Sequence, residues 1–77
     1  MLPSKAERHL ASGDLFMEGG SFEQAFYLYN SALGNFEKAG DIQGQRLALT
    51  KMLAAAEAWR NREMAENCRK WLKELKG

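Results

Sequence analysis

Proline occurs once in this chain, at position 3, and cysteine once, at Cys68; valine is absent, and Ile42 and Thr50 complete the β-branched set. A chain so poor in β-branched residues has little from which to build strands. The single cysteine rules out an internal disulfide and fits a reducing compartment. No run of about 18 apolar residues is present, so no membrane-spanning helix is expected. The opening Met1-Leu2-Pro3-Ser4-Lys5 is followed by no apolar core of a secretory signal, and the expected location is cytoplasmic. A net charge of +1 over 77 residues argues against a strongly basic nucleic-acid binder. Residues 1–40 sum to −2 and residues 41–77 to +3. A solvated helix face explains that mild asymmetry about as well as a partner does.

What is present is helix-forming: Ala, Leu, Glu, Lys, Arg and Gln dominate, and these lose little side-chain entropy in a helix. The length suits one small domain, 1–77. Helix starts can be read from capping chemistry. Ser4-Lys5-Ala6-Glu7 has the form of a capping box, and Ser21-Phe22-Glu23-Gln24 repeats it after Gly19-Gly20. Asp41 comes after Gly40, a glycine stop and then a new N-cap, and Asn61 can cap a fourth helix with Glu63 in its first turn. The expected helices span about 5–18, 22–39, 42–59 and 62–76. One continuous helix over 42–76 is the alternative at the last junction.

Apolar spacing agrees. Phe22, Ala25, Tyr29, Ala32, Leu33 and Phe36 mark one face of the second helix. Leu49, Met52, Leu53, Ala56 and Trp59 mark the third; Met64, Cys68, Trp71, Leu72 and Leu75 mark the fourth. Short connections make consecutive helices pack antiparallel. The expected fold is all-α, two tandem antiparallel helical hairpins, over about 5–39 and 41–76.

The first hairpin resembles the tetratricopeptide repeat, whose pattern runs W-x₂-L-G-x₂-Y, then A-x₃-F, then P. Gly13 stands at the glycine and Phe16 at the aromatic after it, and Ala25 with Tyr29 supplies A-x₃-F with a tyrosine in place of the phenylalanine. Gly20, Phe22, Ala32 and Leu33 also fall in register. His9 and Ser12 replace the Trp and Leu, and Glu37 stands near the expected Pro, as in a longer repeat variant of about forty residues. The second hairpin matches less well, as terminal repeats do. Gly13 and Ala25 are small where two helices would cross, and Phe16 and Tyr29 would fill the space beside them. The resemblance implies a right-handed α-solenoid fragment. A three-helix peptide-binding domain would share the acidic, aromatic first hairpin, but the fourth helical segment argues against it.

Chemistry finds little footing. His9, the only histidine, lies where the repeat packs a large ring, so a half-buried packing role is expected. Cys68 falls on an apolar stripe and reads as a small core residue. One His and one Cys make neither a metal site nor a catalytic pair by spacing. Gly19-Gly20 reads as a turn, with no phosphate-loop pattern around it. No catalytic residue, cofactor or metal is expected. Arg62, Arg69, Lys73 and Lys76 form a basic stripe that could meet an anionic polymer. Glu66 and Glu74, at i+4 from Arg62 and Lys70, favour a solvated face instead.

The resemblance implies a function: a protein–protein interaction module whose first helices line a concave groove. By position the groove residues are Glu7, Leu10, Asp14 and Met17 from the first helix and Leu47, Thr50, Ala54 and Glu57 from the third. They suit a partner segment with apolar anchors and some positive charge. Phe26-Tyr27-Leu28-Tyr29 is a run of large residues pointing in every direction, so Phe26 or Tyr27 should meet the next hairpin or a partner. A self-associating helical protein, or a piece of a longer solenoid, is the alternative.

Overall fold

The first turn of a helix leaves amides without partners, and a polar side chain just before it can take one up. The computed structural model describes residues 2–75, with α1 at Lys5–Glu18, α2 at Phe22–Ala39, α3 at Ile42–Trp59 and α4 at Arg62–Glu74. The Ser4 box closes on both sides: the Glu7 amide donates to Ser4 Oγ at 3.1 Å and the Ser4 amide to Glu7 Oε1 at 2.8 Å. Asp41 accepts from the Gly44 amide at 2.9 Å, and Asn61 from the Met64 amide at 3.1 Å. The expected box at Ser21 does not form, because the Ser21 side chain makes no cap bond. The fold is all-α, as expected. The last helix ends at Glu74, and Lys76 lies outside the described residues.

The three corners share one geometry. The amides of Gly20 and Ser21 donate to the carbonyls of Met17 and Phe16; those of Gly40 and Asp41 donate to Glu37 and Phe36; those of Arg60 and Asn61 donate to Glu57 and Ala56. This is the Schellman stop, which needs a left-handed residue at its centre. The corners recur every twenty residues. Gly20 and Gly40 meet the requirement at φ 80° and 68°; at the third corner an arginine, Arg60, does so at φ 63°. That left-handed turn removes the alternative of one helix through 42–76.

Pairings across the corners show the directions. His9 meets Asn35, and Gly13 meets the Tyr29 ring, so α2 runs back along α1. Gly44 meets the Phe36 ring, and Phe26 meets Trp59, so α3 runs back along α2. α4 packs on α3 through Ala65 and Cys68, which are buried.

The core runs through all four helices, with Leu33 and Leu49 its largest fully buried side chains and Ala25, Ala32, Ala48, Ala55 and Ala56 wholly buried with them. Phe26 belongs to this core at 4% exposed. Its ring centroid lies 5.8 Å from that of Trp59, so the next hairpin covers it, which corrects its reading as a possible partner contact. Phe16 moves the other way: it is 42% exposed and does not fill the space beside Gly13. The α1 stripe that packs inward is Ala6, Leu10, Gly13 and Met17, and Phe16 lies off it.

Candidate functional site

α1 and α3, each packed antiparallel on α2, run the same way and meet only along their edges. Asp14 and Lys51, 37 residues apart, meet at 3.0 Å. At that same offset Leu10 and Leu47 line one groove, with Glu7 and Gly44 beside them. The groove lies between the starts of α1 and α3 and has a volume of about 370 Å³. Phe36 closes it from α2, and Ser4, Asp41 and Gln43 complete its wall. Its apolar surface comes from Leu10, Phe36 and Leu47, and Glu7 and Asp41 supply carboxylates.

The eight groove residues named from the sequence divide. Glu7, Leu10 and Leu47 are brought together. Leu47 is 47% exposed and free to make contact. Leu10, at 9%, belongs to the core, which corrects its reading as an open contact: it shares the inward α1 stripe with Ala6 and Gly13. The Glu7 carboxylate is engaged by Ser4, whose backbone amide and then hydroxyl hold it below the usual carboxylate range. Thr50 and Ala54 are exposed on α3, the Thr50 hydroxyl donating to the Arg46 carbonyl at 2.8 Å. Met17 is half-buried against the core. Glu57 stands apart from this groove, paired with Arg69 of α4 at 2.7 Å.

Asp14 pins three helices together. It accepts from the Tyr29 hydroxyl of α2 at 2.5 Å and from Lys51 Nζ of α3 at 3.0 Å. The Lys51 ammonium also stands 5.7 Å from the centre of the Tyr29 ring, a cation–π distance. Burial acts to raise the Asp14 carboxyl, but the hydrogen bonds from Tyr29 and Lys51 and the lysine charge outweigh it and hold the group low. Burial, and then the bond and charge of Asp14, push the Tyr29 phenol well above its usual value. A phenol so disfavoured from ionising serves as a hydrogen-bond donor.

Sequence reasoning missed Phe36, Gly44 and Lys51 here. A signal was present, because Leu10 with Leu47 and Asp14 with Lys51 share one spacing. Elsewhere, His9 is half-buried with Nδ1 3.1 Å from Asn35 Oδ1. Cys68 is buried, and burial raises its thiol despite the neighbouring Arg69. Tyr27, the other possible interface residue, is 49% exposed beside Phe26 and Trp59. Among the described residues no helix is long and apolar enough to cross a membrane. Neither Arg62 with Glu66 nor Lys70 with Glu74 forms an ion pair; the ion pairs among the described residues are Asp14–Lys51 and Glu57–Arg69.

Comparison of the chain with known protein families, with curated proteins and with solved structures finds no match.

Proposed function

We propose that this chain is a non-catalytic protein–protein interaction module of the tetratricopeptide-repeat type, taking a partner segment along the face shared by α1 and α3. The observation that carries the reading is the groove of about 370 Å³ with Leu47 exposed at its edge. A groove with apolar surface and two carboxylates suits a short helix or extended segment with one aliphatic or aromatic anchor and a flanking Lys or Arg. Hot spots of this kind rest on a buried anchor in a pocket, with charge on the rim setting orientation and rate.

Selection from a displayed library of dodecapeptides tests this. The expected binders share an apolar anchor flanked by basic residues, and Leu47→Glu abolishes their binding while the chain stays helical. A library that yields no saturable binder, or binders indifferent to Leu47→Glu, overturns the reading.

A further inference from the structure

A second groove lies at the opposite end of α3. It has a volume of about 730 Å³ and wraps the α3–α4 corner. Arg60, Arg62 and Arg69 line it, Ala56 and Ala65 are its small buried residues, and Glu57 and Glu66 stand among the arginines. The exposed Arg69–Glu57 pair, at 2.7 Å, bridges α4 and α3 and sets these two charges against each other. Arg60 and Arg62 have no ion-pair partner among the described residues.

The chain supplies its own standard for this corner. The hydrogen bonds around residues 20, 40 and 60 match, and each central residue is left-handed. Two of the three are glycine, which adopts that conformation without steric cost. The third is arginine, for which it is unfavourable. Strain at a non-glycine residue is grounds for looking to what its side chain does. The Arg60 side chain lines the groove and answers no charge among the described residues.

We propose that Arg60 and Arg62 clamp the carboxylates of an acidic peptide segment in this groove. A guanidinium fork matches a carboxylate in shape as well as charge. Three arginines against Glu57 and Glu66 leave the groove a net charge of only +1, enough for one or two carboxylates spaced along a peptide and short of what an unbroken row of phosphates would call for. This site is separate from the α1–α3 groove and stands or falls without it.

The test uses the whole chain and a fluorescein-labelled peptide of alternating Glu and Ala, read by anisotropy. Saturable binding is expected, weakened about tenfold or more by Arg60→Gly and by Arg62→Gln, a loss of roughly 1.4 kcal/mol or more. Leu47→Glu is expected to leave it unchanged. Arg60→Gly relaxes the corner backbone, so its loss of binding cannot be laid to unfolding; its melting temperature, no lower than the parent's, checks this. The proposal is overturned if the parent shows no saturable binding or if Arg60→Gly binds as the parent does. It is also overturned if a single-stranded oligothymidylate of equal charge binds more tightly and displaces the peptide.

Discussion

Gly13 packs directly against the ring of Tyr29, and the hydroxyl of that ring reaches Asp14, the next residue along α1. The two contacts depend on each other. A Cβ at position 13 would overlap the ring edge, and a displaced ring would carry its hydroxyl off Asp14. Gly44 and Phe36 repeat the close approach between α2 and α3.

Gly13→Ala and Gly44→Ala should therefore each destabilise the fold by about 1–3 kcal/mol, the usual cost of overpacking. Gly34 is the control, because a Cβ there meets nothing within 4 Å. Gly34→Ala, in mid-helix, should stabilise by roughly 0.5–1 kcal/mol through helix propensity alone. Urea midpoints read all three; equal shifts at the three sites would show that the rings do not depend on the bare backbone.

Tyr29 and Asp14 give the fold opposite pH limits. The phenol is raised in the folded chain, so its contribution is complete below its unfolded value of about pH 10 and is lost as the pH climbs above it. The Asp14 carboxyl is lowered, so its contribution is present above about pH 4 and is lost as the pH falls below that. Asp14 is partly open to solvent, with its side chain 47% exposed, so the acid effect should be the smaller. Tyr29→Phe should flatten the alkaline fall in stability measured between about pH 9 and 11; an unchanged slope would remove Tyr29 as its source.

Leu10 and Leu47 face one groove in different roles. Leu10→Ala should cost about 2–3 kcal/mol as a core truncation, and Leu10→Glu more, since it buries a charge. Leu47→Glu should alter stability by less than about 0.5 kcal/mol, as exposed substitutions usually do. A fold that tolerates Leu10→Glu would return Leu10 to the open surface.

Arg60→Gly should raise stability by roughly 0.5–1 kcal/mol, the relief of a left-handed side chain less the added freedom of glycine in the unfolded chain. For a domain of this size that amounts to a gain of about 2–8 °C in melting temperature. A lower melting temperature would mean that the arginine side chain stabilises the corner itself.

Helix boundaries were legible because they rest on local chemistry. Ser4 with Glu7, Gly40 with Asp41, and Asn61 each declare an end within a few residues. Arg60 gave no such signal, since nothing in an arginine announces positive φ. The antiparallel order came from the short corners. Which large residues turn inward did not, because it depends on how far each helix rotates about its axis. Phe26 and Phe16 exchanged roles on that account: Trp59 arrives to cover the first, and the inward stripe through Gly13 and Met17 leaves the second outside. The groove was half legible. Position along the helices found Leu47, but Phe36 enters the groove, and Lys51 meets Asp14 beside it, only once the helices have packed.

The three matching corners leave no slack between helices, with one residue to reverse the chain and its neighbour already standing at the head of another helix. Phase is therefore carried forward from each helix to its successor. Adding a single residue inside α2 would rotate everything beyond it by about 100°, turning Gly44 away from Phe36 and Trp59 away from Phe26. Lengthening the same helix by about seven residues, close to two whole turns, would restore the facing but slide the partners by about 10 Å. In this chain length itself is a specified quantity, and substitutions should be far better tolerated than insertions.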